Sequence, residues 1–133
     1  MSPCFVVAEA EKVFKAGGQW SRCYAMHGDV LAQSGDAAGA RRVWAEGLRA
    51  VPDLPMIYLH RGIFEMNTGD YAAAQADLVS ANAKAPHFAD PLKALGDLLV
   101  RQGRRQDARA KYDEALKYAP AWVELRQARR ILK

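Results

Sequence analysis

The chain has 133 residues, half of them apolar and 26% charged, with a formal net charge of +4 and two cysteines. That length suits one domain, and this much apolar material excludes intrinsic disorder. Two cysteines cannot make a disulfide scaffold, no apolar stretch approaches the roughly 18 residues of a bilayer span, and a mild positive charge does not mark a nucleic-acid binder.

The start, Met1 to Val7, has no basic n-region and so predicts no secretory signal. Within residues 3–18, Phe5 to Ala16 reads as a helix ending at Gly17-Gly18, either a specialised N-terminal helix or half of a further repeat. From there a period of 34 residues organises the chain, with repeats at 21–54, 55–88 and 89–122. Gly28, Gly62 and Gly96 keep that spacing, as do Gly35, Gly69 and Gly103, Ala40, Ala74 and Ala108, and Pro52, Pro86 and Pro120. Bulky residues recur in phase, with Tyr24, Tyr58 and Leu92 in one column and Trp44, Leu78 and Tyr112 in another.

Inside each repeat the apolar period is helical: Ala37, Ala40, Val43, Trp44, Gly47 and Leu48 stripe one face, and Ala108, Tyr112, Ala115 and Leu116 another. Breaks at Gly35-Asp36, Gly69-Asp70 and Gly103-Arg104 divide each repeat into two helices of about 14 residues. Glycine there suits a left-handed helix end, and Asp36 and Asp70 suit the next N-cap. Pro55 and Pro91 fit first turns, with Asp90 expected as a cap. Mid-helix glycine costs about 1 kcal/mol against alanine, so Gly28, Gly62 and Gly96 imply a close helix crossing. Ala40, Ala74 and Ala108 are expected opposite them. Residues 123–133 read as an amphipathic capping helix, with Val123, Leu125, Ala128, Ile131 and Leu132 apolar.

These columns resemble the tetratricopeptide repeat family, whose 34-residue signature places a large residue, Leu-Gly, a large residue, Ala, an aromatic and Pro in that order. The resemblance covers about 102 of the 133 residues, and the departures are His27, Arg61 and Glu65 at positions that usually hold Leu or Tyr. It implies an all-α fold, an α-α superhelix in which antiparallel helix pairs stack as a right-handed solenoid. It further implies a concave groove lined by the first helix of each repeat. The matching positions include Arg22 and Met26 in the first repeat and Met56, Leu59, His60, Ile63, Met66 and Asn67 in the second. In the third they include Asp90, Lys93, Ala94, Asp97, Val100 and Arg101. Met26, Met56, Leu59, Ile63 and Met66 predict an apolar middle for this groove, suited to an apolar or amphipathic segment of a partner. The clamp with which the family grips a chaperone C-terminal tail needs cations and amides where this chain has Ala25, Asp29, His60, Asp90 and Ala94.

No catalytic, metal or cofactor motif is present. His27, His60 and His87 fall at different phases of the repeat and are expected as one partly buried and two surface residues, not as a metal site. Cys4 and Cys23, 19 residues apart, are expected as reduced thiols of a cytoplasmic protein. Asp77, Asp113 and Glu114 are expected on solvent faces. Arg101, Arg104, Arg105, Arg109, Arg126, Arg129, Arg130 and Lys133 make the last third basic, which reads as a solvated face.

The sequence therefore predicts a non-catalytic adaptor that binds another protein, without cofactor or membrane. The alternatives are a dimerisation or assembly module of a larger protein, with the N-terminal helix or a second copy filling the groove, and more weakly a binder of acidic protein or nucleic acid through the C-terminal arginines.

Overall fold

The computed structural model describes residue 4, residues 19–50 and residues 53–132. The expected helix over 3–18, Gly17-Gly18, Pro52 and Lys133 lie outside the described residues, apart from Cys4, which is helical. Seven helices and no strand occur among the described residues: α1 (Gln19–Gln33), α2 (Ala37–Ala50), α3 (Pro55–Asn67), α4 (Tyr71–Lys84), α5 (Ala89–Arg101), α6 (Arg105–Tyr118) and α7 (Val123–Ile131). They pair as hairpins α1/α2, α3/α4 and α5/α6. Each hairpin's first helix also packs on the first helix of its neighbour, α1 on α3 and α3 on α5, and α7 covers the end of α6. The result is an all-α repeat superhelix, in which α1, α3 and α5 stand side by side.

The hairpin turns follow from backbone chemistry. Gly35, Gly69 and Gly103 take φ of 91°, 90° and 78°, the left-handed region open to glycine. The residue after each glycine returns its N–H to the preceding helix: Asp36 to the Leu31 carbonyl at 2.8 Å, Asp70 to Glu65 and Arg104 to Leu99 at 2.9 Å. These bonds satisfy carbonyls that a helix end leaves unpaired. Asp36 Oδ1 then accepts from the Gly39 N–H at 2.8 Å and Asp70 Oδ1 from the Ala73 N–H at 3.3 Å, capping α2 and α4. Arg104 offers no such cap to α6.

Two expectations about helix ends and crossings need correction. Asp90 is not a cap: α5 begins at Ala89, after Phe88, and Asp90 sits inside its first turn. Pro55 does open α3, where its missing N–H has no helical partner to lose. The mid-helix glycines face the bulky column, not the small one. A Cβ on Gly28 would run into the Trp44 ring, one on Gly62 would meet Leu78 Cδ2 at 2.9 Å, and one on Gly96 would run into the Tyr112 ring. Glycine makes room for a large side chain from the partner helix, while Ala40, Ala74 and Ala108 are fully buried. The Trp44 Nε1–H, buried in this way, donates to the Ala25 carbonyl at 3.2 Å.

The core runs as three clusters, one per hairpin layer. Tyr24, Ala40, Val43, Trp44 and Ile57 form the first with Cys4. Leu59, Met66, Leu78, Leu95 and Leu98 belong to the second, and Leu92, Tyr112, Leu125 and Leu132 to the third. Leu125 on α7 and Leu132 just after it are buried whereas Val123 and Ile131 are exposed, so the capping stripe is narrower than the apolar residues suggest. Cys4 and Cys23 are joined as a disulfide across a Cα separation of 5.6 Å, which overturns the expectation of reduced thiols. No described helix is long and apolar enough to cross a membrane.

Candidate functional site

Two of the three departures from the repeat pattern, Arg61 and Glu65, build a polar seam with Asp77 between α3 and α4. Arg61 forks onto Asp77, Nε to Oδ2 at 2.6 Å and Nη2 to Oδ1 at 2.9 Å. Glu65 lies beside this pair, with Oε1 3.9 Å from Arg61 Nε and 3.6 Å from Arg41 Nη1. Asp77, expected in solvent, is 8% exposed, because its helix position faces α3, where Gly62 leaves space against its Cβ. Hydrogen bonding to Asp77 holds the Arg61 guanidinium above its ordinary value. Burial first, then the Asp77 carboxylate, push the Glu65 carboxyl up to about 7. Once protonated, Glu65 has a donor to offer toward Asp77, which suits Oε2, an oxygen that receives no hydrogen bond.

The side of the superhelix lined by α1, α3 and α5 carries two adjoining cavities. The larger, about 560 Å³, has a stripe of α5 as one wall: Asp90, Lys93, Ala94, Asp97, Val100 and Arg101. Ile63, Met66 and Asn67 of α3 form the opposite wall, and Tyr112 and Trp122 complete it. The smaller, about 250 Å³, lies between Asp29, Ala32 and Gln33 of α1 and His60, Ile63, Phe64 and Asn67 of α3. Ile63 and Asn67 are common to both, so the two are parts of one groove.

Interlocking contacts hold the α5 wall. The Tyr112 hydroxyl donates to Asp97 Oδ1 at 2.5 Å, and Lys93 Nζ donates to Asp97 Oδ2 at 2.9 Å. Lys93 Nζ also stands 5.8 Å from the centre of the Trp122 ring. Burial and the bond to Asp97 both raise the Tyr112 hydroxyl far above its usual range, so it stays a donor. Arg101 reaches back to α3, Nη2 to Asn67 Oδ1 at 3.0 Å and Nη1 to the Met66 carbonyl at 3.4 Å. In the smaller cavity His60 Nδ1 bonds Asp29 Oδ2.

The expected groove residues thus divide. Ile63, Met66, Asn67, Lys93, Asp97 and Arg101 line the larger cavity, and His60 the smaller. Leu59 is buried in the second core cluster, and Met56 packs half-buried against it. Arg22 and Met26 are exposed but line neither cavity. The predicted apolar middle is therefore corrected. Leu59 and Met66, seven residues apart on α3, fill the seam against α4 and α5, where Ala74, Leu78, Ala94 and Leu95 wait for them. What the groove presents instead is a mixed wall of charges and apolar patches.

Tyr112 and Trp122 were not among the expected groove residues. Tyr112 stands in a packing column, yet its hydroxyl passes Gly96 to reach Asp97. Trp122 lies in the turn before α7, outside the repeat positions that carry the groove. The histidines also differ from expectation: His27 and His60 are half-buried, and exposed His87 stacks on Tyr118 at 5.1 Å. No group of three or more metal-ligating side chains occurs among the described residues. The C-terminal arginines are partly engaged, Arg104 with Asp107 at 2.7 Å and Arg129 with Asp113 at 2.6 Å.

Residues 25–87 and residues 89–122 each match a family model described as tetratricopeptide repeat. Among solved structures, an O-GlcNAc transferase mutant of Thermobaculum terrenum superposes with a TM-score of 0.75 at 22% identity, over 84% of this chain and 22% of that one. The first TPR of Spaghetti, bound to the HSP90 peptide SRMEEVD, superposes with a TM-score of 0.76 at 18% identity, over 84% of this chain and 91% of that one. At these identities the likeness is one of fold, and the chain spans about a fifth of the transferase. No curated protein matches the sequence.

Proposed function

Because the chain belongs to the tetratricopeptide repeat family, whose repeats generally mediate protein–protein interaction, we propose that it is a non-catalytic adaptor holding an amphipathic segment of another protein in the groove of α1, α3 and α5. The observation that carries this reading is the larger cavity itself, where Ile63, Ala94 and Trp122 offer apolar contact beside the charges of Asp90, Lys93 and Arg101. A wall of that kind matches a segment with an apolar side and charged flanks better than a purely apolar one.

The HSP90 peptide held by the Spaghetti domain ends in an acidic residue, and a C-terminal carboxylate needs donors along the first helices. Here the corresponding places hold buried Ala25 and Ala94, acidic Asp29 and Asp90, and His60, which is bonded to Asp29. A chaperone tail is therefore not the ligand we assign. The disulfide withdraws the support that reduced thiols lent to a cytoplasmic setting, since such bonds persist in oxidising compartments.

The test is retention of partners from a lysate of the source organism on the immobilised chain, compared with an Ile63→Asp/Trp122→Ala variant. Loss of a retained protein, with the helical circular dichroism intact, is expected. Undiminished retention by a folded variant contradicts the groove assignment. A stable dimer that buries this face in sedimentation supports the dimerisation reading instead.

A further inference from the structure

Four charges alternate along one stripe of α5: Asp90, Lys93, Asp97 and Arg101, all facing the larger cavity. The inner two neutralise each other, since Lys93 Nζ sits 2.9 Å from Asp97 Oδ2 and Tyr112 supplies a further donor to Asp97. The outer two have no such partner. Asp90 makes no ion pair among the described residues; burial lifts its carboxyl above the ordinary range, with relief only from its own backbone N–H, His60 and Lys93. Arg101 is held by neutral acceptors alone, the Asn67 side chain and the Met66 carbonyl. The groove wall therefore ends in an open negative charge and an open positive charge.

Their separation sets a length. Arg101 follows Asp90 by eleven positions, about 16 Å along a helix at 1.5 Å per residue. An extended chain covers that distance in about five residues. A docked helix of 10–12 Å diameter would occupy roughly 1,300–1,900 Å³ over the same span, two to three times the 560 Å³ within the groove walls. Between the two ends the wall is apolar at Ala94 and Val100, with Ile63 and Trp122 facing them.

Building on the adaptor reading above, we propose that the groove recognises a short extended segment of a partner protein bearing a basic and an acidic side chain about five residues apart. The basic side chain pairs with Asp90 and the acidic one with Arg101. An apolar side chain between them lies against Ile63 and Trp122, and the two ion pairs fix the direction in which the segment runs. Charges at the rim of an interface select partner and register more than they add affinity.

Both charges also complement the dipole of α5, Asp90 in its first turn and Arg101 in its last, and a purely structural role would end there. Selection from a random dodecapeptide display library on the full chain separates the two. The expected result is enrichment of peptides with a basic and an acidic residue about five positions apart in one order. An Asp90→Lys/Arg101→Glu variant is expected to select the opposite order. Should that variant not fold, Asp90→Asn/Arg101→Gln removes both charges while sparing the shape, and is expected to select peptides without the pair. Reversing the order in a selected peptide should weaken binding about tenfold, the effect of two half-exposed ion pairs. Peptides that lose binding with Ile63→Asp/Trp122→Ala but show no charge pair overturn this proposal and leave the adaptor reading standing. Selected peptides indifferent to that groove variant, or no selection above bare matrix, overturn both.

Discussion

The second and third hairpins have the same backbone plan and opposite interiors. Where the α3/α4 seam holds Arg61, Glu65 and Asp77, the residues 34 positions on in α5/α6 are Leu95, Leu99 and Lys111. In the third hairpin Leu95 is buried, Leu99 packs against its core cluster, and Lys111 leans outward to Glu114 at 3.7 Å. In the second, a carboxylate 4% exposed and another 8% exposed share one guanidinium. The comparison teaches that the hairpin is specified by its glycines and alanines, and that the columns between them tolerate either leucine or a closed ion network. Such a network contributes little over an apolar seam but is costly to break, because each remaining charge stays desolvated.

That asymmetry gives the largest expected effect. Arg61→Ala, which leaves buried Asp77 without its cation and Glu65 with Arg41 alone, should lower unfolding stability by about 3 kcal/mol in denaturant titration. Moving the third hairpin's set into the second, as Arg61→Leu/Glu65→Leu/Asp77→Lys, should be neutral or stabilising. A large loss from the triple variant would break the comparison, since it would mean that the network is needed for the fold.

Next in size is a pH effect confined to the second hairpin. Glu65 is held at about 7 in the fold against an ordinary 4.5, so the folded chain binds that proton more tightly than the unfolded one. The stability from this group is whole below about pH 4.5 and is lost as pH rises through about 7. Unfolding stability should fall accordingly between pH 5 and pH 8, by an amount on the order of 2 kcal/mol, and the melting temperature with it. Glu65→Gln should flatten the slope; an unchanged slope assigns it to another group.

The smallest difference concerns the glycines. Gly96→Ala drives a methyl into the Tyr112 ring, a rigid neighbour that is also bonded to Asp97, and should cost about 1–2 kcal/mol after the gain in helix propensity. Gly62→Ala meets Leu78 Cδ2 and Cγ at 2.9 Å and Asp77 Cβ at 3.3 Å, a milder overlap than with the Tyr112 ring, and should cost less than Gly96→Ala by the same thermal measurement. Equal costs would mean that the facing side chain does not decide the tolerance.

The repeat itself was readable because turns and close crossings have few chemical solutions. A left-handed helix end takes glycine, and Gly35, Gly69 and Gly103 sit there in phase. The groove was only partly readable. Leu59 and Ile63 are one helical turn apart on α3, and periodicity alone does not say which faces a neighbouring helix and which faces solvent. Trp122 closes the third repeat in the column of Leu54 and Phe88, so the period marks it as a bulky helix-entry residue but not as a groove one. The partner that buries Arg61 is Asp77, on another helix, and that pairing leaves no local signature. The Cys4–Cys23 bridge likewise depends on Cys4 meeting α1 in the fold, and a single cysteine pair carries no spacing rule that would announce it.

The claim on which the functional account rests is that a partner segment lies against α5. Photo-crosslinking tests it most directly, with benzoylphenylalanine placed at Val100, which lines the groove, and separately at Val79, which is exposed on α4 and lines neither cavity. Adducts to a partner protein from position 100 and none from position 79 are what the account predicts. Adducts of equal yield from both positions, or from position 79 alone, would contradict it.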